Sequence, residues 1–191
     1  MKLFFFRKRS KWFDFLLGIF ILLLIIPKTG QPIRIGMNRL KTFVWSPSIS
    51  NTGERTKISS FDYSLRNLDE NIVTQPIGKG KITFLGFWAT WCAPCIAELP
   101  SIEALFNDYG QDINFVLVTH EPPRVVNDFI MEKGFEVPVY FPASTVPKAL
   151  QSSSIPTNYL IDSEGVIIIK ETGAANWNSE NVRELLNTML R

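Results

Sequence analysis

The sequence predicts one α/β domain, with a mixed central sheet, helices on both of its faces and an N-terminal hairpin added to it, carried behind a single membrane anchor. Three observations predict this. A chain of 191 residues that is 46% hydrophobic can bury one sizeable core, since a domain takes about 100 to 200 residues. From about residue 59 onward, short β-branched and aromatic runs alternate with stretches whose apolar residues recur every three or four positions, the signature of strands exchanging with helices. Charge is also split along the chain. Residues 1–45 hold nine of the 20 Lys and Arg and one of the 18 Asp and Glu, a balance of +8; the remaining 11 basic and 17 acidic residues leave the rest at −6. A basic, apolar leader before an acidic domain fits a membrane tether. Nucleic-acid binding would put the basic cluster on the folded part, so no nucleic-acid partner is expected.

The leader opens with Lys2, Arg7, Lys8, Arg9 and Lys11, and Asp14 precedes an apolar run from Phe15 to Ile26 that stops at Pro27. The run is short against the roughly 20 residues that cross a bilayer squarely, which makes a cleaved signal peptide the rival reading. Yet Pro27-Lys28-Thr29-Gly30-Gln31-Pro32 offers no small-x-small cleavage site, and no cysteine stands near for lipoprotein processing. Residues 12–27 are therefore expected to act as an uncleaved anchor, with Trp12, Phe13 and snorkelling lysines extending its reach. Lys28, Arg34, Arg39 and Lys41 nearly balance the five charges before the run, so charge alone does not orient it. A short basic N-terminus is hard to translocate, which places residues 1–28 as a cytoplasmic tail plus anchor and the folded domain on the periplasmic side.

Residues 29–57 are read as a juxtamembrane segment and linker. Ile33, Met37, Leu40 and Val44 fall at helical spacing among Arg34, Asn38, Arg39 and Lys41, which suits a helix on the membrane surface; a partly ordered linker is the alternative. Ser46 to Gly53 reads as linker. Residues 58–191 form the domain. A hairpin is predicted over about 59–74, turning at Asp69-Glu70-Asn71, then a buried strand over 82–88 and a helix over 93–108. Ile113 to Thr119 is a β-branched run suited to a central strand, Arg124 to Lys133 a helix, and Val137 to Phe141 a short strand. A small helix at 147–151, strands at 157–162 and 166–170 turning at Asp162-Ser163-Glu164-Gly165, and a helix at 178–190 complete the domain.

The only cysteines are Cys92 and Cys95, two residues apart where the buried strand gives way to a helix. No framework of several disulfides is available, so the pair must be explained locally. At the helix N-terminus, unpaired N–H groups and the positive end of the dipole lower the pKa of Cys92 below the free value of about 8.5. Cys92 is the expected nucleophile toward a substrate disulfide, and Cys95, one turn deeper, resolves the mixed disulfide by attacking Cys92. Pro94 can dispense with its N–H in the first turn and stiffens it.

Gly86-Phe87-Trp88-Ala89-Thr90-Trp91-Cys92-Ala93-Pro94-Cys95, Glu98-Leu99-Pro100, Ser154-Ile155-Pro156-Thr157, Leu160-Ile161-Asp162 and Gly165 together resemble the thioredoxin superfamily, and within it the membrane-anchored TlpA/ResA-like thiol/disulfide oxidoreductases, from about Phe61 to the C-terminus. The resemblance implies a thioredoxin-like fold and a cis peptide at Ile155-Pro156 facing the cysteines, where the backbone of Ile155 pairs with an extended substrate. Trp91, Ile155, Pro156 and Thr157 become the expected substrate-binding residues, and Pro100 a helix kink. Glu98 matches an acid that ResA-like proteins carry three residues after the second cysteine, where it tunes the thiols and moves protons; an exposed surface glutamate is the bland alternative. The departure is Gly86, where thioredoxins have a buried aspartate and many TlpA-like proteins an asparagine. Without that group, proton transfer from Cys95 must use Glu98 or water.

The resemblance further implies disulfide-bearing envelope proteins as substrates, apocytochrome c among them, and a membrane thiol/disulfide electron donor that keeps the pair reduced. Beyond the Cys92/Cys95 disulfide no dissociable cofactor is expected. His120, the only histidine, could join Cys92 and Cys95 in binding copper or zinc, which defines the rival function, a metal-binding module or copper chaperone. A lone loop histidine is more often simply solvated. A peroxidase of the peroxiredoxin kind would want Thr at position 89, which is Ala. A purely structural bridge across so short a loop would add little stability. Trp88 is expected in the core, Trp91 exposed beside Cys92, and Trp177 packed near the start of the last helix.

Overall fold

A computed structural model describes residues 11–25, 35–36, 45–50 and 55–191. The domain elements are β1 (Phe61–Arg66), β2 (Ile72–Ile77), β3 (Thr83–Phe87), α2 (Ala93–Tyr109), β4 (Asn114–Val118), α3 (Pro123–Lys133), β5 (Val139–Pro142), a 3-10 turn (Lys148–Leu150), β6 (Thr157–Ile161), β7 (Ile167–Thr172) and α4 (Glu180–Met189), behind α1 (Lys11–Ile25). Every strand and α-helix expected of the domain is present, with the small helix at 147–151 reduced to the 3-10 turn. Its seven strands form one sheet in the order β2-β1-β5-β4-β3-β6-β7. β3, β4 and β5 run parallel, while β6 and β7 are antiparallel to their neighbours. The hairpin β1–β2 joins the β5 edge antiparallel; its turn reaches a left-handed backbone at Glu70 (φ 61°).

Strand alternation sorts the core into two faces. Phe84, Phe115, Leu117 and Leu160 pack with Leu99, Ile102 and Leu105 of α2, Val126 of α3 and Val182 and Leu186 of α4. Leu85, Val116, Val118, Tyr159 and Ile161 point the other way. On that second face the expected small helix is a single 3-10 turn whose Ala149 and Leu150, with Val146 and Ile58, cover the sheet. All α-helical packing in the two core clusters thus lies on the first face, not on both as expected, because β3, β4 and β5 step in one direction across the sheet and their crossover helices fall on the same side; that face carries the cysteines.

Residues 46–50 of the expected linker pair with the domain, while residues 51–53 lie outside the described residues. Ile49 bridges to Ile169, and the Ser50 N–H donates to the Ile168 carbonyl at 3.0 Å. The Ser48 N–H and the Trp45 indole both donate to the Glu171 carboxylate, and the Trp45 carbonyl accepts from the Asn176 N–H. Residues 45–50 therefore lie along β7, whose outer edge otherwise presents unpaired backbone groups.

At 1.5 Å per residue, the 15 residues of α1 span about 22 Å. Among the described residues no helix is long and apolar enough to cross a membrane. Ile26 and Pro27, and all but residues 35, 36 and 45 of the amphipathic stretch expected from Ile33 to Trp45, lie outside the described residues.

Candidate active site

Strand β3 ends at Phe87 and the chain turns through Trp88–Trp91 into α2. Cys92 is the N-cap residue of that helix, extended at φ −83° and ψ 100°, and its Sγ accepts a hydrogen bond from the Cys95 N–H at 3.2 Å. A cap atom in this position serves an N–H that the helix itself leaves unpartnered. The same donor and the helix dipole would stabilise a thiolate there. Cys95 follows within the first turn and is joined to Cys92 by a disulfide, with the Cα atoms 5.2 Å apart. Cys95 is 0% exposed and Cys92 5%, while the neighbouring Trp91 is 66% exposed. The first cysteine thus sits at the rim beside an open aromatic surface and the second beneath it, as the sequence reading divides them. Trp88 is buried against Phe129 of α3.

The loop before Cys92 is tied down by a residue that sequence reading passes over. The Thr90 N–H and hydroxyl both donate to the Glu121 carboxylate, at 2.6 and 2.7 Å. Glu121 lies in the β4–α3 loop next to His120, so one side chain fixes the approach to the helix from across the sheet's end.

Glu98 is not a surface glutamate. It is 1% exposed, one helical turn beyond Cys95 on the same face of α2. Its Oε1 accepts from the Asn158 amide of β6 at 2.8 Å, and its Oε2 from the Ala175 N–H at 3.2 Å. Burial pushes the carboxyl up from 4.5 to about 8, against the opposing pull of Asn158, Ala175 and the Trp177 indole, with the negative charge of Glu171 adding to the rise. The indole N–H faces this carboxyl but stops short of a formed hydrogen bond, and no other partner takes it. Pro100 lies inside α2; just past it, the Ser101 hydroxyl donates to the Glu98 carbonyl at 2.7 Å and accepts from the Trp177 N–H at 3.1 Å. This clamps the helix to the loop that supplies the Ala175 donor. Trp177 is fully buried and packs edge-on to Phe84, as expected of it.

The Ile155–Pro156 peptide is cis, and Ile155, half-buried, packs on the cluster containing both cysteines. Thr157 follows at the start of β6. Its side chain is buried and its hydroxyl donates to the Ser154 carbonyl at 2.8 Å, so it holds the turn. His120 is exposed, and among the described residues no group of His, Cys, Asp and Glu is arranged to hold a metal ion.

Residues 57–170 match the family model described as the AhpC/TSA family, and the matched stretch runs from the end of the linker through the cysteines into β7. The chain belongs to the AhpC/TSA family. The thiol-disulfide oxidoreductase ResA of Halalkalibacterium halodurans is 28% identical over 144 residues, 74% of this chain and 80% of the relative. The sporulation thiol-disulfide oxidoreductase A of Bacillus subtilis is 24% identical over 162 residues, 82% of this chain and 96% of the relative. Among solved structures, a putative thiol:disulfide interchange protein DsbE from Chlorobium tepidum superposes with a TM-score of 0.59 at 23% identity, over 71% of this chain and 99% of that one. That likeness shows the thioredoxin-like fold. With the Cys92–Cys95 disulfide at the helix N-terminus, the chain is a ResA-like thiol/disulfide oxidoreductase, and the metal-binding alternative loses its footing.

Proposed function

We propose that this protein is a reductase of disulfides in extracytoplasmic proteins, held at the membrane by its N-terminal segment and kept reduced by a membrane thiol/disulfide electron donor. The observation that carries the exchange chemistry is Cys92 at the N-cap, its Sγ accepting the Cys95 N–H, with a fully buried Cys95 bonded to it. In the reducing direction the Cys92 thiolate attacks one sulfur of a substrate disulfide. A mixed disulfide forms and the substrate's other sulfur leaves as a thiolate that takes up a proton. The Cys95 thiol then loses its proton and attacks Cys92 Sγ, the Cys92–substrate bond breaks, and the second substrate sulfur leaves reduced. Two electrons pass from the cysteine pair to the substrate, and the Cys92–Cys95 disulfide is the product on the enzyme.

Two features support the reducing direction. Among the described residues no cationic side chain is hydrogen-bonded to either sulfur, so helix-end stabilisation of a thiolate is not reinforced by a charge. Above about pH 8, where the buried Glu98 carboxyl is ionised, it opposes a second negative charge on Cys95 one turn away. Both keep the reduced form from being stabilised as it is in strong oxidants. The relatives named for thiol-disulfide oxidoreduction fit this reading, and apocytochrome c is one protein of the disulfide-bearing class it would serve.

The substrate-binding surface is assigned to Trp91 and the Ile155–Pro156 segment, where an extended chain can add backbone hydrogen bonds. Trapping tests the order of attack. A Cys95→Ser chain should accumulate a stable mixed disulfide with envelope proteins through Cys92, and Cys92→Ser should form none. Adducts that form equally through Cys95 would reverse the assignment.

A further inference from the structure

Gly86 and Asn158 stand opposite each other in the β3–β6 ladder. By strand alternation both face the α2 side of the sheet, as Phe84 and Leu160 do. A Cβ built on Gly86 would lie 2.5 Å from Asn158 Oδ1 and 2.7 Å from Leu117 Cδ2. The bare backbone at position 86 is therefore the space in which the Asn158 side chain sits. Asn158 is itself 1% exposed, in a strand whose five residues are all buried, and a buried amide of that kind is stable only with partners. Its Nδ2 donates to Glu98 Oε1 at 2.8 Å.

We propose that Asn158 is the positioning residue for the resolving step: from the neighbouring strand it supplies the buried polar group that position 86 lacks and holds the Glu98 carboxyl where it can take the proton of Cys95. The inference rests on the thiol/disulfide reading. The proton leaves the Cys95 sulfur for a Glu98 carboxylate oxygen as the Cys92–Cys95 bond forms and the substrate sulfur leaves with the electron pair. Gly86 and Asn158 form one unit, because a side chain on the first would displace the second.

Asn158 donates, so it favours the ionised carboxyl and opposes the rise that burial imposes. The other groups acting on Glu98 are the Ala175 N–H and Trp177 from the β7–α4 loop and the charge of Glu171 of β7, and among the described residues no cation acts on it; Cys95 lies one turn back on its own helix. Removing a hydrogen bond to a charged group moves such an equilibrium by about tenfold or somewhat more, which is about one pH unit.

The test uses the full reduced chain and an aromatic disulfide probe that releases a coloured thiolate, one equivalent on attack by Cys92 and a second on resolution by Cys95. The rate of the second release is followed from acid to alkaline pH. Asn158→Ala should move its pH midpoint up by about one unit and slow it about tenfold below that midpoint. Asn158→Asp, which keeps the shape and loses the donor, should move it the same way if the alanine variant folds poorly. In a Glu98→Gln background, neither change should move the profile further. A midpoint unmoved by both variants, or moved equally without Glu98, overturns this proposal while leaving exchange intact. A wild-type chain that never reduces the probe sinks the exchange reading and this inference together.

Discussion

Replacing Glu98 by glutamine should change how the stability of the oxidised protein depends on pH, and by an amount the structure specifies. The carboxyl rises from 4.5 to about 8 on folding, so at about 1.4 kcal/mol per pH unit ionising it costs roughly 5 kcal/mol more in the folded chain than in the unfolded one. Because the folded value is raised, the advantage of the neutral carboxyl is complete below pH 4.5, declines as pH rises, and is gone above about 8. Glutamine has the same shape and never ionises. It keeps the acceptor for Asn158 but turns an NH2 toward the Ala175 N–H, a fixed penalty of about 1–3 kcal/mol that does not vary with pH. The difference in unfolding free energy, Glu98→Gln minus wild type, should begin negative near pH 5, climb at about 1.4 kcal/mol per pH unit, and level off above pH 8. Urea unfolding of both full chains, oxidised, at several pH values measures it, and contributions of other titrating groups cancel in the difference. Two parallel curves would mean instead that Glu98 titrates alike in the folded and unfolded chain.

Glu121→Ala should destabilise the chain by about 1–3 kcal/mol, by leaving the Thr90 N–H without its acceptor, and should slow attack by Cys92; urea midpoints and probe kinetics measure both. Gly78 has φ +66° and a Cβ there would meet Gly165 Cα at 2.7 Å, so Gly78→Ala should cost more than the roughly 1 kcal/mol of a positive-φ site alone, read as a lowered thermal midpoint. Trp91→Ala should leave stability within about 0.5 kcal/mol, because the side chain is exposed, while raising KM for protein disulfides and leaving reduction of a small disulfide unchanged.

Much of the fold was legible because its signals are local. The β-branched run from Ile113 and the four-residue turn at Asp162–Gly165 need no knowledge of the rest of the chain. The cysteine pair was legible for the same reason, since a helix N-terminus is a property of neighbouring residues. What escaped was long-range. Asn158 reads as one polar residue in a strand, and only the β3–β6 register sets it against Gly86 and under Glu98. The Ala175 N–H is a backbone group with no sequence signal, and Glu121 meets Thr90 across 31 positions. Glu98 itself was suspected from the motif, but spacing could not tell a buried acid from an exposed one. The docking of Ser48 and Ile49 on β7 was missed because Ser-Pro-rich composition signals a loop whether or not an open edge awaits it.

Equilibrium titration of the full chain against glutathione and dithiothreitol buffers, with alkylation of free thiols at each point, tests the central claim most directly. A reductase should show a reversible two-electron transition of Cys92 and Cys95, with Cys92 the first to be alkylated and a potential nearer thioredoxin's, about −270 mV, than the roughly −120 mV of a strong oxidant. A pair that will not cycle contradicts the exchange chemistry, and a reversible potential near −120 mV contradicts the reducing direction.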